Sequence, residues 1–248
     1  MAWLHAVIDV PANLQSLMAD FWGRALGWQV GTPWPRHPEL KSFEPPTGTP
    51  YVHLQRIAGG PRVHLDVESD DADATVGQAV DLGAELIGED DRWRTLRSPG
   101  GLPFCVLQAR EHEPPEPVTW PDGHRARMVQ VCIDSPRAVH DREVAFWRAL
   151  LPGRWVSSRS REFAGKRHDD AGSPLQLLFQ RLDEPDGPVR AHLDHGTDDL
   201  AGEVRRLLDL GATDVGPGRG WHVLRDRVGL AFCVTENSPA RTRYRDIG

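Results

Sequence analysis

The chain has 248 residues, of which 39% are apolar and 26% are charged, with nine Trp and a formal net charge of −7. This composition is typical of folded globular proteins, and the length suits one large domain or two of ordinary size. The negative net charge argues against a nucleic-acid backbone as partner. No apolar run approaches the ~18 residues of a membrane span, and the start of the chain lacks the pattern of a secretory signal, so we expect a cytoplasmic protein.

Strands and helices alternate along the first 110 residues. Apolar residues at helical spacing predict amphipathic helices over residues 14–26 and 71–82, which end at Gly27 and Gly83. Runs of β-forming residues bounded by Pro and Gly predict strands over residues 4–10, 51–57, 62–67, 85–87, 93–97 and 103–108. The order strand, helix, strands therefore occurs twice.

The chain also repeats itself, with a constant offset of 128 residues over its best-matching segments. The matching pairs are His64-Leu65-Asp66 with His192-Leu193-Asp194, Asp81-Leu82-Gly83-Ala84 with Asp209-Leu210-Gly211-Ala212, and Phe104-Cys105-Val106 with Phe232-Cys233-Val234. Upstream the offset is 125, as for Phe21-Trp22 and Phe146-Trp147. Such self-similarity indicates two copies of one structural unit.

The repeat predicts the domain organisation. We expect one domain over residues 1–110, a Pro-rich, semi-rigid linker over 111–125, a second domain over 126–238 and a tail over 239–248. Each copy is itself a pair of βαβββ modules, so the fold class is α+β with four modules. An open curved sheet cannot cover its own apolar concave face, so the modules must pair and enclose clefts.

Several short motifs, taken in order, resemble the landmarks of the vicinal oxygen chelate superfamily, which contains glyoxalases, extradiol dioxygenases and bleomycin-resistance proteins. They are Leu4-His5-Ala6-Val7-Ile8-Asp9-Val10, Phe21-Trp22 with Leu26-Gly27-Trp28, Val63-His64-Leu65-Asp66-Val67 and Ser98-Pro99-Gly100-Gly101-Leu102-Pro103-Phe104-Cys105-Val106. The resemblance covers nearly the whole chain outside the linker and tail. It implies two glyoxalase-like domains with curved mixed sheets. Fold alone does not fix function.

The resemblance also implies where a metal would be held, because enzymes of this superfamily place ligands on the first and last strands of paired modules. The matching positions are His5, Gln55, His64 and Cys105 in the first copy and Gln130, Gln180, His192 and Cys233 in the second. The register at Gln55 and Gln180 is open by one residue. The glutamate of the family is absent from both last strands.

Three imidazoles of the first copy could still bind a metal. Alternation along a strand puts His53 on the same face as Gln55, so His5, His53 and His64 are the candidate ligands, with His192 as the counterpart in the second copy. The residues alone fix no cofactor; the resemblance implies a divalent metal, Zn, Ni, Fe, Mn or Co. The alternative is that these histidines are only hydrogen-bonded inside a polar cleft.

Candidate acid–base residues are few. Asp66 and Asp194 each share a strand face with the histidine two residues earlier, so each could orient that imidazole or act as a base; the alternative is a surface role. Glu236 is a weaker substitute carboxylate. Cys105 and Cys233 lie among apolar neighbours, which raise the pKa of a thiol and favour a structural role.

Aromatic and amide side chains supply the candidate ligand contacts. Trp34 lies in a Pro-rich connection that could fold over a cleft as a lid and stack on a planar ligand, or could be an idle surface loop. The other candidates are His53, Gln55, Trp93, Gln180 and Trp221.

Three functions remain open from the sequence. The first, which the sequence favours because proton abstraction requires a base and the family's glutamate is absent, is a metal-free protein of the bleomycin-resistance kind that sequesters a small molecule. The second is a divalent-metal enzyme of the glyoxalase or dioxygenase kind, and the third is a structural or interaction protein with filled clefts. The expected partner is a small molecule rather than nucleic acid or membrane, and the protein is expected to be a monomer or homodimer. Whether adjacent modules pair or exchange partners also stays open.

Overall fold

A computed structural model describes residues 3–151, 153–158, 160–168 and 172–240. Its helices are α1 (Gln15–Leu26), α2 (Ala72–Asp81), α3 (His140–Leu150) and α4 (Leu200–Asp209), and a 3-10 turn over Ala12–Leu14 leads into α1. Helix α1 ends at Gly27, whose φ of 69° is left-handed and therefore suits glycine. Both helices predicted for the first copy are present.

The first copy forms one eight-stranded sheet. Its strands are β1 (Leu4–Pro11), β2 (Gln29–Val30), β3 (Leu40–Glu44), β4 (Val52–Ile57), β5 (Arg62–Ser69), β6 (Glu85–Glu89), β7 (Trp93–Arg97) and β8 (Pro103–Gln108). Their order across the sheet is β2-β3-β4-β1-β5-β8-β7-β6. Strands β2 and β3 lie in the connection between α1 and β4, where the sequence predicts only a loop.

The second copy repeats this order. Its strands are β10 (Arg125–Ser135), β11 (Arg154–Val156), β12 (Phe163–His168), β13 (Gln176–Arg181), β14 (Arg190–Thr197), β15 (Thr213–Pro217), β16 (Trp221–Arg225) and β17 (Ala231–Thr235). The order across this sheet is β11-β12-β13-β10-β14-β17-β16-β15, and the short β9 (Val118–Thr119) pairs with the start of β10.

Adjacent modules share a sheet in both copies. Strand β1 pairs with β5 and strand β10 pairs with β14, in both cases antiparallel. Each copy is therefore two βαβββ modules joined through their first strands, and the four-module α+β fold is confirmed. The first and fourth modules, whose pairing the sequence leaves open, belong to different sheets.

The first helix of each copy packs against the sheet of the other copy. On α1, the Trp22 ring packs edge-on against Phe232 of the second copy, with ring centroids 5.2 Å apart. On α3, Trp147 packs against Phe104 of the first copy at 5.0 Å. Because these aromatic side chains are all buried, the two domains share one continuous apolar core.

The segment over 111–125 lies against the sheets. The backbone oxygen of Glu113 accepts a hydrogen bond from the backbone N–H of Thr49, and that of Pro115 accepts one from the Arg127 guanidinium. The segment thereby places His112 beside the first sheet. The tail expected over 239–248 lies outside the described residues from 241 onward.

Among the described residues, no helix has the length and apolar character that crossing a membrane requires. Cys105, Cys132 and Cys233 are all buried and form no disulfide.

Candidate functional site

Strand register brings the polar residues of the first copy onto one face of its sheet. Val7 on β1 lies opposite both His53 on β4 and His64 on β5, and His5 lies opposite Asp66. Side chains alternate along a strand, so His5, His53, His64 and Asp66 point to the same side. Of these four residues, His5, His53 and Asp66 line the first cleft, a cavity of about 240 Å³ that is also lined by Trp34, Trp93 and Glu68.

A chain of hydrogen bonds runs along the floor of the first cleft. Trp34 Nε1 donates to Ser42 Oγ at 3.1 Å, and Ser42 Oγ lies 3.1 Å from His53 Nδ1. His53 Nε2 lies 3.0 Å from His5 Nδ1, and His5 Nε2 lies 3.1 Å from Glu68 Oε1. An indole N–H can only donate and an ionised carboxylate can only accept, so every member of the chain is satisfied in one direction, from the Trp34 indole to the Glu68 carboxylate.

The charge state of this chain follows from burial. Burial, followed by the neighbouring His5, lowers the pKa of His53 to about 3, so His53 is neutral at physiological pH. Burial alone would raise the pKa of Glu68, but hydrogen bonds from His5 and His112 bring it below its ordinary value. Glu68 is therefore an ionised carboxylate that accepts from two imidazoles.

His112 completes a cluster around this carboxylate. His112 Nε2 lies 2.7 Å from Glu68 Oε2, and its ring stacks on Trp3 with centroids 4.5 Å apart. The backbone N–H of Arg110 also donates to Glu68 Oε2, at 3.1 Å. Glu68 and His112 thus have fixed positions next to His5.

The donors of this cluster fit a divalent metal. One ligand atom each of His5, Glu68 and His112 lie within 4.8 Å of one another. Two imidazole nitrogens and one carboxylate are a donor set that Fe(II), Mn(II) and Zn(II) accept. The second ring nitrogen of His5 faces His53, as ligating imidazoles usually face a further hydrogen-bonding group. We call this cluster, His5, Glu68 and His112, the triad.

His64 belongs to a separate network, although it shares the cleft face. Its Nδ1 lies 3.0 Å from Asp9 Oδ2 and its Nε2 lies 3.3 Å from Asp66 Oδ1. Burial would lower the pKa of His64, but Asp9, Asp66 and the Cys105 thiol together raise it well above its ordinary value. The structure therefore brings His5 and His53 together and places His64 as a cation between two carboxylates.

The second copy repeats this network around His192. Its Nδ1 lies 2.7 Å from Asp134 Oδ2, its Nε2 lies 3.3 Å from Asp194 Oδ1, and Cys233 Sγ is 3.6 Å from Nε2. Burial would lower the pKa of His192, but Asp134 outweighs it and raises the pKa well above the ordinary value. We call this shared arrangement, an imidazole between two aspartates and beside a cysteine, the Asp-His-Asp array.

The second copy has no counterpart of the triad at equivalent positions. Gln130 stands where the first copy has His5, Gly196 where it has Glu68 and Ala240 where it has His112. Leu178 stands where the first copy has His53. The second cleft is larger, about 410 Å³. Its walls are mainly apolar or aromatic, lined among others by Phe163, Leu178, Trp221, Val223 and Ala231.

Most of the other residues that the sequence suggests as ligand contacts line one of the two clefts. Trp34 and Trp93 line the first cleft, and the Trp34 ring meets His53 edge-on with centroids 5.5 Å apart. Gln180 lines the second cleft and donates to Glu162 at 2.6 Å. Glu236 is exposed at the rim of that cleft, whereas Gln55 is half-buried and outside the residues that line the first.

Sequence reasoning misses two members of the triad. Glu68 stands four residues after His64, on the same strand face, so alternation extended by one more step would have found it. His112 falls in the segment interpreted as a linker, and only the path of the folded chain brings it to β5.

A family model described as "Glyoxalase-like domain" matches residues 5–107 and 130–235. The two matched segments cover both copies. No curated protein matches the chain significantly.

Among solved structures, the chain is similar to the Mn(II)-bound glyoxalase from Novosphingobium aromaticivorans, with a TM-score of 0.68 and 17% identity over 95% of this chain and 83% of that one. It is also similar to a mutant 4-hydroxymandelate synthase from Streptomyces coelicolor (TM-score 0.61, 17% identity, 96% and 93% covered). A third is a variant of homoprotocatechuate 2,3-dioxygenase from B. fuscum (TM-score 0.59, 15% identity, 94% and 70% covered). At these identities the likeness establishes the fold that the chain shares with glyoxalases and extradiol dioxygenases.

Proposed function

We propose that this chain, which belongs to the glyoxalase-like domain family, is a divalent-metal-dependent enzyme of the glyoxalase or dioxygenase kind whose reaction takes place in the first cleft. The observation that carries the proposal is the triad. Two imidazoles and a carboxylate from three separate segments of the chain meet at one end of a cavity, on a fold shared with a Mn(II)-bound glyoxalase.

The triad residues would hold the metal through His5 Nε2, the Glu68 carboxylate and His112 Nε2. A metal bound there supplies Lewis acidity to two neighbouring oxygens of a substrate. His53 orients the His5 ring from behind, and Trp3 fixes the plane of His112 by stacking on it. Both contacts restrict the rotation of the two imidazole rings before a metal binds, so less conformational entropy is lost on binding.

The rest of the cleft would position the substrate. Burial would raise the pKa of Asp66, but the hydrogen bond from His64 and nearby imidazoles hold it below its ordinary value. Asp66 is therefore ionised at neutral pH and accepts a hydrogen bond from a substrate hydroxyl. Trp34 and Trp93 offer apolar faces to a planar substrate, and Arg92, which lies 5.6 Å from the Trp34 ring centroid, adds positive charge at the mouth.

A second candidate is a metal-free binding protein of the bleomycin-resistance kind. The observation that favours it is the direction of the hydrogen-bond chain: from Trp34 through Ser42, His53 and His5 to Glu68, each donor meets an acceptor without any cation. In that case the triad is a structural network, and the first cleft binds its ligand through the aromatic walls.

Metal analysis separates the two candidates. The purified chain, stripped with chelator, is titrated with Mn(II), Fe(II), Zn(II), Ni(II) and Co(II), and bound metal is measured by mass spectrometry after gel filtration. We expect one metal per chain. Glu68→Gln and His112→Asn should each weaken binding by about tenfold or more, because each removes a ligand.

His222→Gln is the matched control, since it changes an imidazole of the second copy that pairs with a carboxylate, Asp214, outside the candidate metal groups. It should leave both stoichiometry and affinity unchanged. Binding that survives both triad substitutions, or a chain that takes up none of the five ions, would contradict the metal proposal and support the metal-free candidate.

A further inference from the structure

The floor of the second cleft contains a buried acceptor that no protein group satisfies. Gln130 is 2% exposed and lines the cleft, and its Nε2 donates to Asp194 Oδ2. This bond fixes the orientation of the amide, because the flipped group would set its oxygen against the carboxylate. Gln130 Oε1 consequently has no hydrogen-bond donor among the described residues. A buried carbonyl without a donor is costly, so a ligand that donates there gains free energy.

The same floor carries a net negative charge. Asp134 and Asp194 are 7% and 3% exposed, and the single cation between them is His192. Two carboxylates and one imidazolium leave one negative charge at a depth where solvent screens it weakly. The donor that suits Gln130 Oε1 is therefore a cationic one.

The walls above this floor suit a ring. Phe163 and Trp221 meet edge-on, with centroids 5.8 Å apart, and both line the cavity. Leu178, Val223 and Ala231 supply further apolar surface. An aromatic face also attracts a nearby cation, which adds to the charge of the floor.

We infer that the second cleft is an independent binding site for a small aromatic amine, which inserts its ammonium group toward Gln130 and Asp194 and packs its ring against Phe163 and Trp221. The site is separate from the triad and needs no metal. The two copies then serve different ligands: one cleft carries the reaction proposed above, and the other binds an organic cation.

Arginine side chains at the rim of the second cleft make an aromatic carboxylate the main alternative to the amine. Arg190 forms a two-point ion pair with Glu184, with N–O distances of 2.9 and 2.6 Å, so its charge is compensated. Arg219 and Arg225 are exposed and line the same cavity, so they could instead hold an aromatic carboxylate at the mouth. The depth and burial of the negative floor favour the amine over this anion.

Ligand titration tests the inference directly. The chain is labelled with 5-fluorotryptophan, and the ¹⁹F resonance of Trp221 is assigned from Trp221→Phe. Benzylamine, benzyl alcohol and benzoate are then titrated separately at neutral pH. We expect benzylamine to shift the Trp221 resonance and to bind about tenfold more tightly than benzyl alcohol, which corresponds to ~1.4 kcal/mol, with benzoate the weakest.

Matched variants locate the binding. Asp194→Asn should weaken benzylamine binding about tenfold, whereas Asp66→Asn, its counterpart in the first cleft, should not change it. Val223→Trp fills the cavity from its wall and should abolish binding even if Asp194→Asn fails to fold. Equal binding of benzyl alcohol, tighter binding of benzoate, an unmoved Trp221 resonance at millimolar benzylamine, or full binding by Val223→Trp would each overturn the inference.

Discussion

In the first copy His64 lies between Asp9 and Asp66, and in the second copy His192 lies between Asp134 and Asp194 with nearly the same distances. In both, a cysteine of the last strand lies beside the imidazole. The Asp-His-Asp array is thus preserved in both copies, whatever the rest of the cleft contains. In each copy it joins the first strands of two modules.

The clefts differ at the positions around this array. The first has His5, His53 and Glu68, while the second has an amide, an apolar side chain and a glycine there. A Cβ added at Gly196 would lie 2.6 Å from the backbone oxygen of Asn237 and 2.8 Å from a methyl of Val129. The second copy therefore has no room for a counterpart of Glu68. A shared array with different surroundings indicates that the array maintains the fold and that its neighbours determine what each cleft binds.

The largest effect should come from breaking the array itself. Asp134→Asn removes one of the two carboxylates beside the buried His192 cation, and we expect a loss of about 3 kcal/mol in the free energy of unfolding at pH 6. Asp9→Asn should cost at least as much, because Asp9 also pairs with Arg62 at 2.7 Å. Chemical denaturation of both variants measures this, with Glu85→Gln in the exposed pair with Arg97 as a control expected to stay within ~1 kcal/mol.

The pH dependence of this loss has a definite sign. The pKa of His192 is higher in the folded than in the unfolded chain, so its stabilisation is complete below the ordinary pKa of about 6.5 and is lost as pH rises through the folded value. The deficit of Asp134→Asn should therefore be largest at pH 6 and should shrink in alkaline solution. A deficit that grows with pH, or one confined to a single copy, would contradict a shared structural role.

A smaller effect should follow from filling the space at Gly196. Gly196→Ala pushes a methyl against backbone, and we expect a loss of about 2 kcal/mol, as for other overpacked positions. Gly77→Ala in α2 is the matched control: an added Cβ there meets nothing within 4 Å, so the helix should be unaffected or stabilised by up to ~1 kcal/mol. Equal thermal shifts for the two variants would show that the space around Gly196 is not restricted.

The sequence predicts the fold well because the repeat doubles every weak signal. Helices α1 and α2 and the central strands follow from periodicity, and the repeat extends them to the second copy. The short β2 and β3 are not predicted from the sequence because they lie in a Pro-rich connection. Their pairing depends on β4 rather than on their own residues. Which modules pair is not predicted from the sequence either, since it depends on contacts between strands that are distant along the chain.

The site is predicted less well, for a related reason. Strand alternation places His5, His53 and Asp66 on one face. It cannot show that His64 forms an ion pair with Asp9 on the neighbouring strand. In the sequence, Asp9 stands out only as part of a strand motif. His112 enters the cleft from a segment with no regular periodicity, so no local pattern could indicate it.

The smallest expected effect concerns the direction of the hydrogen-bond chain in the first cleft, which the second cleft lacks. Trp34→Phe removes the N–H that polarises the Ser42 hydroxyl and makes it a better donor to His53. Ser42 Oγ has a second lone pair, and without this bias it accepts more readily from His53 Nδ1, so that His53 Nε2 accepts from His5 Nδ1 and leaves His5 Nε2 without a proton. Because a metal needs that lone pair, we expect Trp34→Phe to bind metal about threefold more tightly at neutral pH, equivalent to ~0.6 kcal/mol. Competition against a fluorescent chelator resolves such a difference, and Trp93→Phe, which changes another aromatic side chain of the same cleft, should not reproduce it. Weaker binding by Trp34→Phe would mean that the indole supports the triad through packing rather than by setting the direction of the protons.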